Sequence, residues 1–312
     1  MPALTHNLQR FVDAARGPVI SLGSTAYAGF FDGRLWHSTA ELSRKLVVNR
    51  PELLVCRYCG FGWSADKEES RRKAVVEALE RWAYNYYSMT APAKAGVDIN
   101  DSANGFAAMP ADMGAGLAAV NAYCEALERW VLNAVWDGGD VYFVKCAGAG
   151  GVPEKVLRRV SAGGEYYGLR IAPEKLVKGM PAELHFRLCL LKTAAGGVVS
   201  GSACSASAAD ALLRSGQEAY LHAAVIARAA AGGAPVGGML EPRLVSFAKS
   251  RSGYRIVSEL LKPGPGRLHT PPPVQFSRAL PGPWEPEVAV HRVLLSDSKP
   301  EADELCTGRC YF

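Results

Sequence analysis

Glutamates inside apolar helical runs are the residues of this sequence best suited to carry chemistry. The hexapeptide Glu-Ala-Leu-Glu-Arg-Trp occurs twice, at Glu77–Trp82 and at Glu125–Trp130, and apolar residues surround both copies. A helix that is buried over most of its circumference has little reason to carry carboxylates unless a metal ion or an arginine faces them. The repeated pattern therefore predicts a functional polar site.

Three helical segments carry a stripe of acidic and basic residues at intervals of three and four, which places each stripe on one helix face. Such pairs on a solvent-facing stripe would contribute only a few tenths of a kcal/mol each. The apolar surround leaves too little polar surface for a solvated helix, so we expect the stripes to face a shared cavity. The stripe residues are Lys73, Glu77, Glu80 and Arg81; Asn121, Glu125, Glu128 and Arg129; and Arg214, Glu218 and His222.

A cavity lined by five carboxylates indicates a bound cation, because the carboxylates would repel one another without one. Mg²⁺ prefers oxygen ligands and completes its shell with water and phosphate oxygens. Arginines at the same place are suited to contact a polyphosphate. We therefore expect Mg²⁺ with ATP or a related compound, with the metal held by Glu77, Glu80, Glu125, Glu128 and Glu218 and the phosphates by Arg81, Arg129 and Arg214.

The eight cysteines of this 312-residue chain do not have the density of a disulfide scaffold. The spacings Cys56-x-x-Cys59 and Cys306-x-x-x-Cys310 would allow four thiolates to share one Zn²⁺. The alternative is that these are small, partly buried thiols that never meet. A zinc-stapled interaction module thus remains open beside the nucleotide hypothesis.

Composition limits the other classes of function. The chain is 49% hydrophobic with a net charge of +5, and no block of like charges resembles a nucleic-acid-binding arm. Neither a P-loop nor a complete dinucleotide-binding glycine fingerprint is present, since Pro153 stands where that fingerprint needs its third glycine. The sequence offers no signal peptide and no apolar run long enough to span a membrane. We expect a cytosolic protein without nucleic-acid or membrane partners.

Hydrophobic periodicity predicts three long helices, a short helix and at least three strands. Strands and helices do not alternate regularly, so we expect an α+β (mixed α/β) fold. The Pro-rich segment 263–286 is interpreted as a connector. The predicted helices are about 66–89, 114–136, 207–231 and 153–161, and the predicted strands are 141–146, 183–192 and 288–295.

The three stripes resemble the ATP-site motifs of the YcaO family, Ser-x-x-x-Glu-x-x-Glu-Arg, Ser-x-x-x-Glu-x-x-Glu and Arg-x-x-x-Glu. Their glutamates and arginines match, in order, the three stripes of this chain. Residues 102–108 are similar to the family's Asn-Gly-Leu-Ala turn, so the resemblance implies a nucleotide contact for Asn104. Residues 290–293 are similar to its Val-x-Arg-Val strand, which implies that Arg292 reaches the phosphates. The similarity spans about residues 56–295.

This resemblance implies a single YcaO-like domain over residues 1–312, with long helices on mostly antiparallel sheets and an internal pseudo-repeat. The implied activity is ATP-dependent phosphorylation of a peptide backbone amide in RiPP (ribosomally made natural product) biosynthesis, by a cyclodehydratase or a thioamide- or amidine-forming enzyme. The products would be azolines, thioamides or amidines. Implied partners are a precursor peptide and an E1-like, peptide-binding or a TfuA-like protein, and a homodimer is compatible with the family.

Several positions depart from the family pattern. Lys73 and Asn121 replace two serines, Phe61 replaces a frequent lysine, and Leu221 replaces a frequent glutamine. Lys73 could reach a phosphate, or it could neutralise Glu77 and make the site metal-free. Azoline-forming members end in Pro-x-Pro-x-Pro, and this chain ends Cys-Tyr-Phe, which shifts the expectation toward thioamide or amidine formation. The alternative hypothesis is a non-catalytic homologue that binds a peptide or a partner protein, with the acidic helices serving as structure.

Overall fold

A computed structural model describes residues 6–13, 15–30, 33–47, 58–97, 105–147, 152, 157–158, 161–176, 180–230, 245–246 and 248–297. Three long helices dominate this part of the chain, with two short helices beside them. The helices are α1 (His6–Gln9), α2 (Lys67–Thr90), α3 (Ala115–Trp136), α4 (Ala208–Ala230) and α5 (Gly253–Leu260).

Eleven strands within the described ranges form three sheets. They are β1 (Val19–Phe30), β2 (Gly33–Leu42), β3 (Cys59–Ser64), β4 (Phe106–Pro110), β5 (Val144–Cys146), β6 (Gly163–Ile171), β7 (Leu184–Lys192), β8 (Val198–Ser205), β9 (Leu268–His269), β10 (Val274–Ala279) and β11 (Val288–Leu295). The strand orders are β1-β2-β3, β10-β11-β4 and β5-β6-β7-β8, with β9 on β6. Only the β6–β9 pair is parallel among the described pairings of named strands.

The start of α2 illustrates why these segments form helices. The Asp66 side chain accepts a hydrogen bond from the Glu69 N–H at 2.8 Å and so caps the first turn. Glu68 and Glu69 also place negative charge at the positive end of the helix dipole. Apolar residues at helical spacing, including Val75 and Leu79, then bury one face against the sheets.

Glycines allow two strands to approach their helices unusually closely. A Cβ at Gly62 on β3 would lie 1.9 Å from the Ser70 carbonyl oxygen of α2, and one at Gly60 would lie 2.2 Å from the Ala74 oxygen. On β8, a Cβ at Gly201 would lie 2.4 Å from the Ser215 oxygen of α4. These contacts leave no room for a side chain, so the β3–α2 and β8–α4 units both depend on glycine.

Most predicted elements are confirmed. The three long helices match within two residues at each end, and the predicted strands at 183–192 and 288–295 correspond to β7 and β11. The predicted strand at 141–146 begins only at Val144. The predicted helix at 153–161 lies largely outside the described residues.

The interpretation of residues 263–286 as a connector is wrong. This segment contains β9 and β10, and β10 pairs with β11 from Val274 to Ala279. Prolines are compatible with β10 because they flank the strand and leave its ladder amides in place.

The apolar interior consists of three clusters of buried side chains. One lies under α3 and the β5–β8 sheet, one under α2 and the β1–β3 sheet, and the third between β7, β8 and α4. No helix of the described ranges is long and apolar enough to cross a membrane.

Candidate functional site

The edges of the three sheets meet the glutamate stripes. Strands β3, β4 and β8 are each the last strand in the order of their sheet, so one side of each lacks a neighbouring strand in that order. Helical glutamates accept hydrogen bonds from the backbone N–H groups along these sides. The bonds run from Phe61 N to Glu77 at 3.0 Å, Ala108 N to Glu80 at 3.0 Å, Ser202 N to Glu218 at 2.5 Å and Cys204 N to Glu128 at 2.7 Å.

Arg81 lies between the two glutamates of its own helix. Its Nη2 is 3.3 Å from the Glu77 carboxylate and its Nη1 is 3.5 Å from that of Glu80. The Arg81 side chain is only 12% exposed, and its Nε is buried without a hydrogen-bond partner among the described residues. A buried guanidinium with a donor to spare can bind an anionic ligand.

The charge of Glu125 on α3 is compensated by three arginines, Arg81, Arg129 and Arg292. Arg292, on β11, is fully buried and lies over the Phe106 ring at 4.4 Å from its centroid. The strand therefore brings a buried positive charge to the α3 stripe, and the predicted contact of Arg292 with the phosphates stays a prediction.

Arg214 connects the stripe on α4 with strand β8 and with the stripe on α3. Its guanidinium donates to the Cys204 carbonyl at 3.4 Å and lies 3.8 Å from Asp210, and its side chain is half-exposed. The carboxylates of Glu128 and Glu218 stabilise the positive charge of Arg214 electrostatically. Arg214 is thus the most solvent-accessible of the arginines placed here, and the site opens toward α4.

The carboxylates are close enough to affect one another's protonation. Burial raises the pKa of Glu77, Glu80, Glu125 and Glu128, the last to about 8, and the arginines only partly oppose this. Glu218 raises the pKa of Glu77 and Glu128, while Glu125 raises that of Glu80 and Glu128. Burial lowers the pKa of Arg81, but Glu80, Glu77 and Glu125 outweigh it and raise the pKa overall. Three helices thus bring all five carboxylates into one electrostatic cluster, named the glutamate cluster below.

Two of the predicted nucleotide contacts, Lys73 and Asn121, have hydrogen-bond partners other than the five glutamates. The Lys73 ammonium donates to the Trp63 carbonyl at 3.2 Å and lies 4.0 Å from the Glu69 carboxylate. Its ion-pair partner is therefore Glu69, and not Glu77 as the alternative hypothesis had it. The Asn121 amide donates to the Met109 sulfur at 3.0 Å. Asn104 lies outside the described residues.

The cysteine hypothesis falls mostly outside the described ranges. Cys59 is a buried thiol on β3, and Cys56, Cys306 and Cys310 are not in the described part of the chain. Within that part, no three histidine, cysteine or carboxylate side chains are grouped as a ready metal site. Mg²⁺ needs no such protein cage when phosphates supply ligands, so the oxygen-rich glutamate cluster still fits it chemically.

Three further residues and one cavity were not assigned chemistry from the sequence. His222 is buried and its Nδ1 contacts the Ser200 carbonyl at 2.6 Å, which confirms it as a satisfied core histidine. Cys124 lies beside Cys204, a contact that no spacing in the sequence indicates. A cavity of about 650 Å³ lies at the C-terminal end of α3, lined among others by Trp130 and His269, and it does not include the glutamate cluster.

Sequence reasoning missed the strand amides that hold the glutamates. Phe61, Ala108, Ser202 and Cys204 take part through their backbones, so their side-chain types carry no signal. The nearest signal is the Gly60-Phe-Gly62 spacing, because two glycines on one strand face indicate close approach of another backbone.

Comparison with known proteins supports the fold. No protein-family model matches the chain, and no curated protein matches it. The E. coli microcin synthetase McbBCD complex with pro-MccB17 bound is similar at a TM-score of 0.59 and 11% identity, over 92% of this chain and 90% of that one. A YcaO from Methanopyrus kandleri bound with AMPPCP and Mg²⁺ is similar at a TM-score of 0.48 and 16% identity, over 89% and 85%.

Identities this low establish the fold alone. The pseudo-repeat stays a prediction. The expected mixed α/β architecture, with long helices on mostly antiparallel sheets, is confirmed, and the chain shares its fold with the microcin synthetase structure.

Proposed function

We propose that this protein uses Mg²⁺ and ATP to activate a backbone amide of a precursor peptide, in the biosynthesis of a ribosomally made natural product. The observation that carries the proposal is the convergence of five glutamates from three helices, with buried arginines, where three sheet edges meet. The fold shared with a microcin synthetase structure that holds pro-MccB17 supports it.

The donor set suits Mg²⁺. Four of the glutamates use one oxygen to hold a strand amide, which fixes the carboxylate and leaves its second oxygen for a cation or an arginine. The charge of Glu125 is balanced by Arg81, Arg129 and Arg292. Mg²⁺ usually binds one or two carboxylates and takes its remaining ligands from water and phosphates. The proposed metal ligands are Glu77, Glu80, Glu125, Glu128 and Glu218.

Positive charge on the same cluster suits a triphosphate. Arg81 has a buried donor without a partner in the described structure, and Arg214 is accessible from solvent. Arg292 brings a charge that cannot be solvated by water, so an anion beside it is favourable. The full set of proposed nucleotide contacts is Lys73, Arg81, Asn104, Asn121, Arg129, Arg214 and Arg292.

The proposed reaction overcomes a poor leaving group. A nucleophile adds to a peptide carbonyl, and the resulting oxyanion would have to depart as oxide or hydroxide unless it is phosphorylated. ATP supplies that phosphoryl group. The cluster residues hold and orient the phosphates and stabilise the charge that develops on them. With a Cys, Ser or Thr side chain as nucleophile the product is an azoline, with sulfide a thioamide, and with an amine an amidine.

One observation favours a second candidate, a non-catalytic subunit that binds a peptide or partner protein. Hydrogen bonds from strand amides give Glu77, Glu80, Glu128 and Glu218 a structural task, because they satisfy backbone groups at sheet edges. A chain that had lost catalysis could keep these glutamates for that reason.

Nucleotide-dependent stabilisation separates the two candidates. Mg-ATP at about 100 times its Kd should stabilise the enzyme by about 2.7 kcal/mol through mass action. We expect thermal unfolding to shift upward with Mg-ATP, and much less with ATP plus EDTA or with Mg²⁺ alone. Glu218→Gln should lose the shift, and Glu259→Gln, an exposed acid on α5, should keep it. A parent protein that shows no shift at millimolar Mg-ATP, alone and with its partner, contradicts the enzymatic proposal.

The reaction itself is read from product mass. The protein is incubated with ATP, with the proteins encoded next to it and with a short peptide encoded nearby. The mass of the peptide is then measured by mass spectrometry. Loss of water indicates an azoline, or an amidine closed by an amine of the same peptide, and replacement of oxygen by sulfur indicates a thioamide. An unchanged peptide under conditions where Mg-ATP binds favours the non-catalytic subunit.

The remaining assignments follow the same proposal. We place the activity in one domain over residues 1–312, working in the cytosol with an E1-like or TfuA-like partner. Elemental analysis of the purified protein tests the separate zinc hypothesis for Cys56, Cys59, Cys306 and Cys310, which predicts stoichiometric zinc.

A further inference from the structure

Two thiols lie beside the glutamate cluster and have no task in the proposed reaction. Cys124 on α3 and Cys204 on β8 are both free, and they belong to the same core cluster. Their side chains contact each other through a hydrogen bond. The exposed fractions are 4% for Cys124 and 0% for Cys204. They therefore form a buried dithiol that spans two different elements.

The backbone of Cys204 connects this dithiol to the cluster. Its N–H donates to Glu128 at 2.7 Å, and its carbonyl accepts from Arg214 at 3.4 Å. Cys124 immediately precedes Glu125 on α3. A displacement of either cysteine must therefore move at least one residue of the cluster.

We propose that Cys124 and Cys204 form a reversible disulfide that makes the glutamate cluster sensitive to oxidation. A hydroperoxide is the oxidant. Both S–H bonds and the O–O bond break, one S–S bond forms, and the oxidant leaves as one alcohol and one water. The two thiols together lose two electrons, and a small-molecule dithiol restores them by exchange.

Disulfide formation changes the geometry at the cluster because covalently bonded sulfurs lie closer together than hydrogen-bonded ones. α3 and β8 must approach each other at this point or rotate. Either movement alters the bond between the Cys204 amide and Glu128, and with it the position of the carboxylate. We expect the oxidised protein to hold Mg-ATP more weakly, a consequence that rests on the proposed function.

The reduced pair is stable under ordinary conditions. Both thiols are buried, so a hydroperoxide cannot reach them in the closed structure. Oxidation then requires a local opening of the core, and it should proceed more slowly than oxidation of a surface thiol. This gives a switch that responds to sustained oxidant exposure.

Peptide mapping tests the disulfide independently of any activity. The full chain is treated with tert-butyl hydroperoxide and the oxidant is removed, and the chain is then unfolded in the presence of the alkylating reagent and digested. We expect the peptides that contain Cys124 and Cys204 to be joined, with a mass lower by two hydrogens than their sum. Cys189, which is equally buried but bonded to Tyr166, should remain alkylatable. Recovery of Cys124 and Cys204 as separate alkylated peptides after complete treatment contradicts the proposal.

Two variants and a binding readout complete the test. Cys124→Ala and Cys124→Ser should both abolish the joined peptide, and the pair of variants guards against failure of one to fold. In the parent, oxidation should remove the Mg-ATP thermal shift and dithiothreitol should restore it, while both variants keep the shift in oxidant. A disulfide that forms without changing the shift overturns the link to the cluster. If the reduced parent shows no shift at all, the proposed function fails, and the mapping result still decides the disulfide.

Discussion

Glu128 changes its charge near neutral pH in the folded protein, because burial raises its pKa from 4.5 to about 8 against the influence of Arg214. The folded protein therefore holds a proton that the unfolded chain releases between these two values. The stability from this proton is complete below pH 4.5 and is lost as the pH rises to about 8. Since Gln cannot ionise but can still accept from the Cys204 amide, Glu128→Gln should be more stable than the parent at pH 9, by on the order of 2 kcal/mol.

Urea unfolding at several pH values from 5 to 9 measures this difference. The gain should be largest at high pH and nearly absent at pH 5, where both proteins carry a neutral group. Glu259→Gln is the control, because that acid is exposed on α5. A Glu128→Gln variant that is destabilised equally at every pH would mean that the carboxylate is not held in a desolvated cluster.

Arg292 provides a second test at the scale of one side chain. It is fully buried and compensates Glu125, so Arg292→Met leaves a desolvated carboxylate without one of its positive neighbours. We expect a loss of about 3 kcal/mol in the free energy of unfolding. Arg278 faces Arg292 across the β10–β11 pair but is exposed, and Arg278→Met should be nearly neutral.

The double variant Arg292→Met with Glu125→Gln isolates the electrostatic part. If the loss comes from the unpaired carboxylate, neutralising Glu125 should recover much of the stability. A double variant as unstable as Arg292→Met alone would assign the loss to packing against Phe106 instead.

The residue types of the glutamate cluster could be predicted from sequence, and their partners could not. Helical spacing alone aligns Glu77 with Arg81 and Glu125 with Arg129. The strand amides that receive the carboxylates come from residues up to 76 positions away, as for Cys204 and Glu128. Backbone donors are the same in every residue, so no pattern of side chains indicates which amide is used.

At the scale of elements, the close approach of β3 to α2 determines whether Glu77 reaches the Phe61 amide. A Cβ at Gly62 would lie 1.9 Å from the Ser70 oxygen and must separate the two backbones. We expect Gly62→Ala to destabilise the protein by about 1 to 3 kcal/mol, the usual range for overpacking. Gly23→Ala on β1 is the matched control, since nothing lies within 4 Å of its Cβ.

Chemical denaturation measures both variants, and Mg-ATP binding adds a second readout. Because Gly62→Ala moves β3 away from α2, the nucleotide-dependent thermal shift should fall further than stability alone explains. Equal stability of Gly62→Ala and Gly23→Ala would contradict the tight β3–α2 contact.

Elements with a strong local pattern were predictable and the others were not. α2 has an Asp66 cap, acidic residues in its first turn and a continuous apolar face, and its predicted bounds differ by one residue from the observed ones. β10 lies between prolines and is exposed on most of its residues, so neither composition nor alternation indicated a strand. Its pairing with β11 is a tertiary interaction that overrides the local preference.

At the scale of the whole molecule, the glutamate cluster is a junction that is hydrogen-bonded to all three sheets. Each of β3, β4 and β8 is attached to it by backbone amides, so a ligand that orders the carboxylates should order all three strand edges together. We expect Mg-ATP to slow hydrogen exchange at the amides of Phe61, Ala108, Ser202 and Cys204 simultaneously. The amides of β10, at the far side of the β10-β11-β4 sheet, should change little.

Hydrogen exchange followed by mass spectrometry resolves these segments. Glu218→Gln should reduce protection in β8 and, because the carboxylates affect one another, also in β3 and β4. Protection confined to one sheet would mean that the nucleotide binds one strand edge and that the glutamates do not act as a unit. Uniform protection of every segment, β10 included, would point to global stabilisation by mass action and not to the junction.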